Sequence, residues 1–359
     1  MGKFRVQILS LSLIICMMLS GCGGTTTEPT TTPTLEDYNN EIIVNTENNQ
    51  ETTSVEEIVE VSNSDVVNNS DLLDEITVKF IDVGQADSCL IITANNDAIL
   101  IDAGEDRDAE AIIEVLNEYE LENIDLMVLT HPHADHIGGA QTILETYTVE
   151  EVMMCSFVAT SKLFNNLITT MENQDLLVTQ ATVGLEKSID GVELFVVGVD
   201  SNPKDNNNSS IVMKVTYGTV DIIFTGDAEV PTEEIILENN FDLKAEVLKV
   251  WHHGSDTSTS DSFLDAINPK VAVISVGEEN KYNHPSDVVL TKLQDKGVQV
   301  YRTDELSTVT MEIDGENITT SFEDTFEMNN ARSGAFLYAP HVAEVELELE
   351  ENVVEQITP

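Results

Sequence analysis

Short runs dominated by apolar residues punctuate the first half of the chain: TVKFIDVG (77–84), DSCLIITA (87–94), AILIDAG (98–104), IDLMVLT (124–130) and VEEVMMC (149–155). The second half continues with VELFVVGV (192–199), SSIVMKVTYG (209–218), TVDIIFTGD (219–227), AEVLKVW (245–251), KVAVISVG (270–277), VQVYRTD (299–305) and STVTMEIDG (307–315). Rich in Val and Ile and bounded by turn residues, these runs read as strands. Amphipathic stretches at roughly 107–120, 137–147, 160–173, 230–239, 260–268 and 286–296 read as helices. Meanders followed by strand–helix alternation occur in both halves. That order predicts an α+β fold, two mixed sheets packed face to face with helices outside, a four-layer αββα sandwich in one domain at 76–322.

The two ends follow different rules. MGKFRVQILSLSLIICMMLSGCGG carries Lys3 and Arg5, then an apolar stretch from Val6 to Leu19, then small residues around Cys22. The apolar stretch is too short to span a bilayer, so 1–21 reads as an export signal. Leu19-Ser20-Gly21-Cys22 resembles the bacterial lipobox, which implies acyl chains on Cys22 and a protein anchored at the outer face of the cell membrane. Residues 22–75 form an acidic Thr/Asn/Glu-rich segment whose composition cannot bury enough apolar surface to order itself, and it reads as a flexible tether. The stretch 323–359 is again acidic; its VAEVELELE alternates like a strand edge, but composition places it in a tail.

Charge narrows the partners. The chain holds 66 acidic and 16 basic residues, net −50, and about −31 of this belongs to 76–322. Such a body repels phosphate backbones unless salt screens it or a local site overrides it. Its basic residues are spread singly, without the clustered cations and interleaved aromatics of an extended nucleic-acid groove. Cys89 and Cys155 sit in apolar runs, as buried thiols or, in an exported protein, as a pair.

Polar residues with chemical potential stand where strands end: Asp82, Asp102, His131, Asp227, His252 and His284. Loops at one rim of a sheet are where sites are commonly built. The densest stretch is THPHADHIGG (130–139), which places three of the chain's seven histidines and an aspartate within six positions. His131 and His133 alternate about Pro132 and can face one point; Asp135 and His136 follow on the next turn and can face a second. Imidazole nitrogen and carboxylate oxygen without thiolate suit zinc, iron or manganese. Gly138 and Gly139 let a helix start close beneath.

This string resembles the H-x-H-x-D-H signature of the metallo-β-lactamase superfamily. FIDVGQADS (80–88), LIDAG (100–104), NNNSSIV (206–212), TGDA (225–228), KVWHHGS (249–255) and NKYNHP (280–285) are similar to further motifs of the branch that includes the hydrolase domain of the competence proteins called ComEC. The resemblance implies two divalent metal ions, zinc with manganese as the alternative, and a metal-bound hydroxide as nucleophile. It places His131 and His133 on the first ion, Asp135, His136 and one of His252 and His253 on the second, and Asp227 between both. His252 directly follows the strand and is the preferred ligand, which leaves His253 to touch substrate; the reverse assignment stands beside it. Asp135 and Asp227 would orient the water, and His284 would contact a bound phosphate as donor or general acid, with Lys281 a further contact. Asp82 and Asp102 would buttress the metal histidines from behind. Many superfamily members supply a mid-chain histidine to the first ion; Asn206-Asn207-Asn208-Ser209 stands there instead, which argues against a lactamase.

The expected activity is a metal-dependent phosphodiesterase acting on DNA or on a small phosphoester of the phosphocholine kind. A surface lipoprotein that binds a metal or ligand without turnover is the alternative from another class, and the complete ligand set favours the enzyme.

Overall fold

The computed structural model describes residues 73–200, 202–322 and 345–347. The export signal, Cys22 and nearly all of the tether and tail lie outside them. In chain order the strands are β1 (Ile76–Phe80), β2 (Cys89–Ile92), β3 (Ala98–Ile101), β4 (Asn123–Ile124), β5 (Leu126–Leu129), β6 (Thr148–Val149), β7 (Glu151–Met154), β8 (Leu177–Gln180) and β9 (Glu186–Ile189). They continue as β10 (Val192–Gly198), β11 (Val212–Tyr217), β12 (Val220–Phe224), β13 (Val247–Lys249), β14 (Val271–Ile274), β15 (Gln299–Arg302), β16 (Val309–Ile313), β17 (Ile318–Phe322) and β18 (Val345–Leu347). The helices are α1 (Ala109–Glu118), α2 (Ala134–Ile137), α3 (Ala140–Thr146), α4 (Lys162–Asn173), α5 (Val230–Glu238), α6 (Asp261–Ile267), α7 (Asp287–Asp295) and α8 (Thr303–Leu306).

One sheet has the order β18-β17-β16-β1-β2-β3-β5-β7-β8, the other β15-β14-β13-β12-β11-β10-β9, and β4 pairs β6 apart from them. Each sheet is part antiparallel and part parallel, with β3-β5-β7-β8 parallel in the first and β12-β13-β14-β15 parallel in the second.

Strand side chains alternate between two apolar environments, because successive residues point to opposite faces. Leu126 and Val128 of β5 join Ile222 and Phe224 of β12 in the core between the sheets. Met127 and Leu129 instead pack with Ile112, Leu116, Ile143 and Leu167 from α1, α3 and α4. On the other side Ile223, Leu248, Ala272 and Ile274 meet Ile236, Phe263, Leu264 and Val289 from α5, α6 and α7. Two apolar faces per strand explain why the runs are continuously hydrophobic. Helices α4, α6 and α7 open on serines: the side chains of Ser161, Ser260 and Ser286 accept from the N–H of Phe164, Phe263 and Val289.

The strand and helix segments expected from sequence all contain elements of the matching kind. The structure adds β8, β9 and β17, and β18 lies within the stretch assigned from composition to the tail, paired antiparallel with β17. Cys89 and Cys155 are both free thiols. No helix among the described residues is long and apolar enough to cross a membrane.

Candidate metal centre

The parallel strands deliver their following loops to one rim. After β5 the chain runs Thr130-His131-Pro132-His133 and enters α2 with His133 as the N-cap, so Asp135 and His136 ride on a single helical turn. Nε2 of His131 and Nδ1 of His133 converge to 3.0 Å. Gly138 makes this possible: a Cβ there would stand 2.4 Å from the Asp106 nitrogen, and the Gly138 N–H donates to the Gly104 carbonyl at 2.8 Å.

The second sheet contributes two loops. After β12, the Asp227 N–H donates to Ser210 Oγ at 3.0 Å, which anchors the backbone that carries the carboxylate. After β13, Val250 and the fully buried Trp251 lead into His252 and His253, both with left-handed backbone (φ 47° and 53°).

Asp227 is the hinge of the arrangement. Its Oδ2 lies 3.7 Å from Nε2 of His131 and 3.7 Å from Nε2 of His252. Its Oδ1 lies 3.2 Å from Nε2 of His136 and 3.8 Å from Nε2 of His253, whose Nε2 is also 3.5 Å from Asp135 Oδ2. Two donor sets result, His131-His133-Asp227 and Asp135-His136-Asp227-His253, each with its ligand atoms within 4.8 Å of one another. Sequence order favours His252 beside Asp135 and His136; the geometry places His253 there, buried, and puts His252 on the other oxygen of Asp227. The left-handed turn is the reason, since it breaks the rule that the residue nearest the strand end points into the rim.

The donor sets fit divalent metal. His136 Nε2, His253 Nε2 and Asp227 Oδ1 are buried without a hydrogen-bond partner, an arrangement that is costly unless something satisfies all of them together. Nitrogen and carboxylate oxygen without sulfur suit zinc or manganese. The far side of each ring is held. Nδ1 of His136 lies 2.7 Å from Asp102 Oδ2, and Nδ1 of His253 lies 2.9 Å from the Ser275 carbonyl, so each Nδ1–H donates outward and each Nε2 lone pair faces the site. Asp102 also accepts from the N–H and hydroxyl of Thr130, at 2.8 and 2.7 Å.

Left to themselves, these side chains share protons. Burial opposes charge on His253, yet Asp227 and Asp87 outweigh it and raise its pKa to about 10. His136 is likewise raised, against burial, by Asp227 and Asp102. Burial and the neighbouring His136 push His131 well below the usual imidazole value. Burial would lift Asp135, but the hydrogen bond to His253 and the charge of His136 bring it down to about 2. A cation must therefore displace protons from His136 and His253 on entry.

His284 stands beside the centre, its ring centroid 5.6 Å from that of His252 and 6.5 Å from that of His253. The Asn280 side chain grips its backbone, accepting from the His284 N–H at 3.0 Å and donating to its carbonyl at 2.6 Å. Burial and the charges of His252 and His253 lower its pKa to about 4, which makes it a neutral hydrogen-bonding imidazole near pH 7. Lys281 lies over the Tyr282 ring.

Asp82 does not stand behind the histidines. It is exposed, with its carboxylate accepting from the Gly84 N–H at 3.0 Å, and a group that steadies a buried imidazole must itself be buried. That place belongs to Asp102 and to Asp87, whose Oδ1 is 3.4 Å from His253 Nδ1 and whose Oδ2 accepts from the buried Lys249 ammonium at 2.9 Å. Lys249 was detectable as the single cation inside the apolar run AEVLKVW, since a buried charge needs a partner. Asn208, in the stretch that stands where many superfamily members carry the mid-chain histidine, is occupied elsewhere: its side-chain oxygen accepts from the Glu229 N–H and the Thr232 hydroxyl, and its amide nitrogen donates to Asp205.

The sequence profile of the metallo-beta-lactamase superfamily matches residues 81–278, more than half of the chain. ComE operon protein 3 of Bacillus subtilis (strain 168) is 29% identical over 256 residues, which cover 66% of this chain and 33% of that protein. Competence protein ComA of Neisseria gonorrhoeae is 31% identical over 233 residues, 64% of this chain and 31% of that protein. The chain thus spans about a third of the length of these curated relatives. Among solved structures, the metallo-beta-lactamase fold protein YhfI from Bacillus subtilis aligns with a TM-score of 0.46 at 13% identity, covering 67% of this chain and 100% of that one. The profile match, the layered αββα sandwich and the histidine–aspartate rim agree: the chain belongs to the metallo-β-lactamase superfamily of metal-dependent hydrolases.

Proposed function

We propose that this chain is a phosphodiesterase that works with two divalent cations, zinc or manganese, at the outer face of the cell membrane, held there through lipidated Cys22. The observation that carries the catalytic part is the division of Asp227, one oxygen toward His131 and His252 and the other toward His136 and His253. In this reading His131, His133 and Asp227 hold the first cation, with His252 taking the position that many superfamily members fill from mid-chain. Asp135, His136, Asp227 and His253 hold the second.

Bound together, such cations lower the pKa of a water and stabilise both the attacking and leaving oxygens of an in-line displacement. The protein's own groups set the geometry. Asp102 and the Ser275 carbonyl fix the tautomers of His136 and His253, and Asp135 and Asp227 would orient the water at the rim. His284, neutral and clamped by Asn280, donates a hydrogen bond to a non-bridging phosphate oxygen. The competence-named relatives favour a phosphodiester as substrate. The acidic body favours one short or single-stranded enough to reach the rim without lying along the surface.

The test is hydrolysis of bis-p-nitrophenyl phosphate by the purified chain, with metal content measured on the same sample. Chelation should abolish turnover and zinc or manganese restore it. His133→Ala, at a half-buried position, should lower the rate at least about 100-fold with an unchanged far-ultraviolet circular dichroism spectrum. Turnover that survives in the chelated protein or in the variant rejects the proposal; stoichiometric metal without turnover would make the chain a binder.

A further inference from the structure

His133 has a second neighbourhood. It also forms part of the wall of a pocket of about 440 Å³ together with Pro132, the segment 157–161, Leu163 and Asn206. The volume falls in the range of single small-molecule sites, about 300–1,000 Å³, and is too small for a duplex. Because His133 belongs to both, a molecule whose phosphate sits at the metal ligands extends into this pocket without leaving the protein surface.

The lining states what kind of group fits. Phe157, Val158 and Leu163 supply apolar walls, and Val158 is 75% exposed, a large aliphatic side chain left in solvent at the mouth. Thr160, Ser161 and Asn206 supply hydroxyl and amide groups among these walls, and Ser161 uses its oxygen to accept from the Phe164 N–H, which leaves its hydroxyl hydrogen for another acceptor. His133 is the single titratable residue of the lining: no carboxylate and, beside the Phe157 ring, no Trp or Tyr is there to receive a quaternary ammonium, and no lysine or arginine to receive a second phosphate.

We propose that this pocket is the subsite for the group esterified to the phosphate, and that it takes an uncharged planar heterocycle, a nucleobase, in preference to a choline cation. The inference rests on the phosphodiesterase reading above and names its substrate class. Phe157 offers a ring for stacking, while the hydroxyl and amide groups meet the polar edge of the base.

The metal-loaded full chain is given three esters that share one leaving group: thymidine 5′-(p-nitrophenyl phosphate), methyl p-nitrophenyl phosphate and p-nitrophenyl phosphocholine. The thymidine ester should have a kcat/KM at least about tenfold above the other two, the size of one base-stacking contact. Phe157→Ala and Val158→Asp should each lower the thymidine-to-methyl ratio toward one; Val158 is exposed enough for its variant to fold. Calorimetric titration supplies a readout apart from turnover: thymidine 5′-monophosphate should bind about tenfold tighter than phosphocholine, and Val158→Asp should remove the difference. A ratio unchanged in both variants, or a preference for the choline ester, overturns the subsite even if all three esters are cleaved. No cleavage of any ester, with the binding preference intact, overturns the phosphodiesterase and supports the subsite.

Discussion

Lys249 gives a quantitative test of how the centre is supported. It ends β13 with a side chain only 5% exposed, and its ammonium donates at 2.9 Å to Asp87 Oδ2 and at 3.2 Å to the Val250 carbonyl. Replacement by methionine keeps the length and apolar stem and removes only the charge. Asp87, 7% exposed at its side chain, would then keep a buried carboxylate with one oxygen unpaired. Breaking a buried pair from one side costs about 3–5 kcal/mol. The lower end applies here, because His253 remains 3.4 Å from the other oxygen and shares the charge. About 3 kcal/mol in a domain of this size lowers Tm by roughly 6–12 °C.

The assay is urea unfolding followed by emission from Trp251, the single tryptophan of the chain and fully buried two residues from the substitution. The midpoint should fall with the slope unchanged. The double variant Asp87→Leu with Lys249→Met removes both charges and should recover most of the loss, since an apolar pair of similar volume is often no less stable than a buried ion pair. A loss under about 0.5 kcal/mol in the single variant refutes the reasoning. Equal losses in the single and double variants refute it as well, because the stranded carboxylate would then not be the cause.

Three further outcomes are expected. Asp102→Asn leaves one carbonyl oxygen where two oxygens now serve His136 and Thr130, so the affinity for the second cation should fall about 10–100-fold in competition with a chromophoric chelator; unchanged affinity would remove Asp102 from the support of the site. Glu233 is buried and accepts from the Thr259 and Ser260 N–H groups, and burial lifts its pKa above the usual carboxylate value. A folded-state pKa above the unfolded one means that the unfolded chain loses the proton first, so the stability advantage of the protein over Glu233→Gln should shrink as pH rises from 4 to 7, and a widening gap in urea midpoints would refute it. With a body near −31, cleavage of single-stranded DNA should speed up from 10 to 150 mM salt as the Debye length shortens from about 30 to 8 Å, while bis-p-nitrophenyl phosphate is little affected; a steep fall with salt would indicate a basic track instead.

Much of this architecture was legible because its signals are local. The strand runs are apolar at consecutive positions since each strand is covered on both faces, as Ile222, Ile223 and Phe224 show. THPHADHIGG was legible because four donors fall in one turn-and-helix segment. Of the strands that escaped detection, LVTQ of β8 and EKSI of β9 are edge strands with mostly solvated side chains, and an edge needs no continuous apolar run, whereas ITTSF of β17 is an inner strand whose threonines and serine hide its apolar positions.

What stayed hidden depends on pairings distant in the chain or on backbone conformations that pattern does not encode. Asp82 and Asp87 occupy the same loop and look alike in sequence; only the approach of Lys249, 162 positions away, separates the exposed turn carboxylate from the buried one. His252 and His253 are adjacent and identical; order along an extended chain favours His252, whereas it is His253 that lies with Asp135, His136 and Asp227. With both in left-handed backbone, the pair folds back over the end of β13, so that one imidazole meets each oxygen of Asp227. Two neighbouring histidines can serve two cations only through such a turn: in an extended chain they would face opposite sides of the sheet. In the two-cation reading proposed above, the left-handed pair at 252–253 is what sets one imidazole against each oxygen of Asp227.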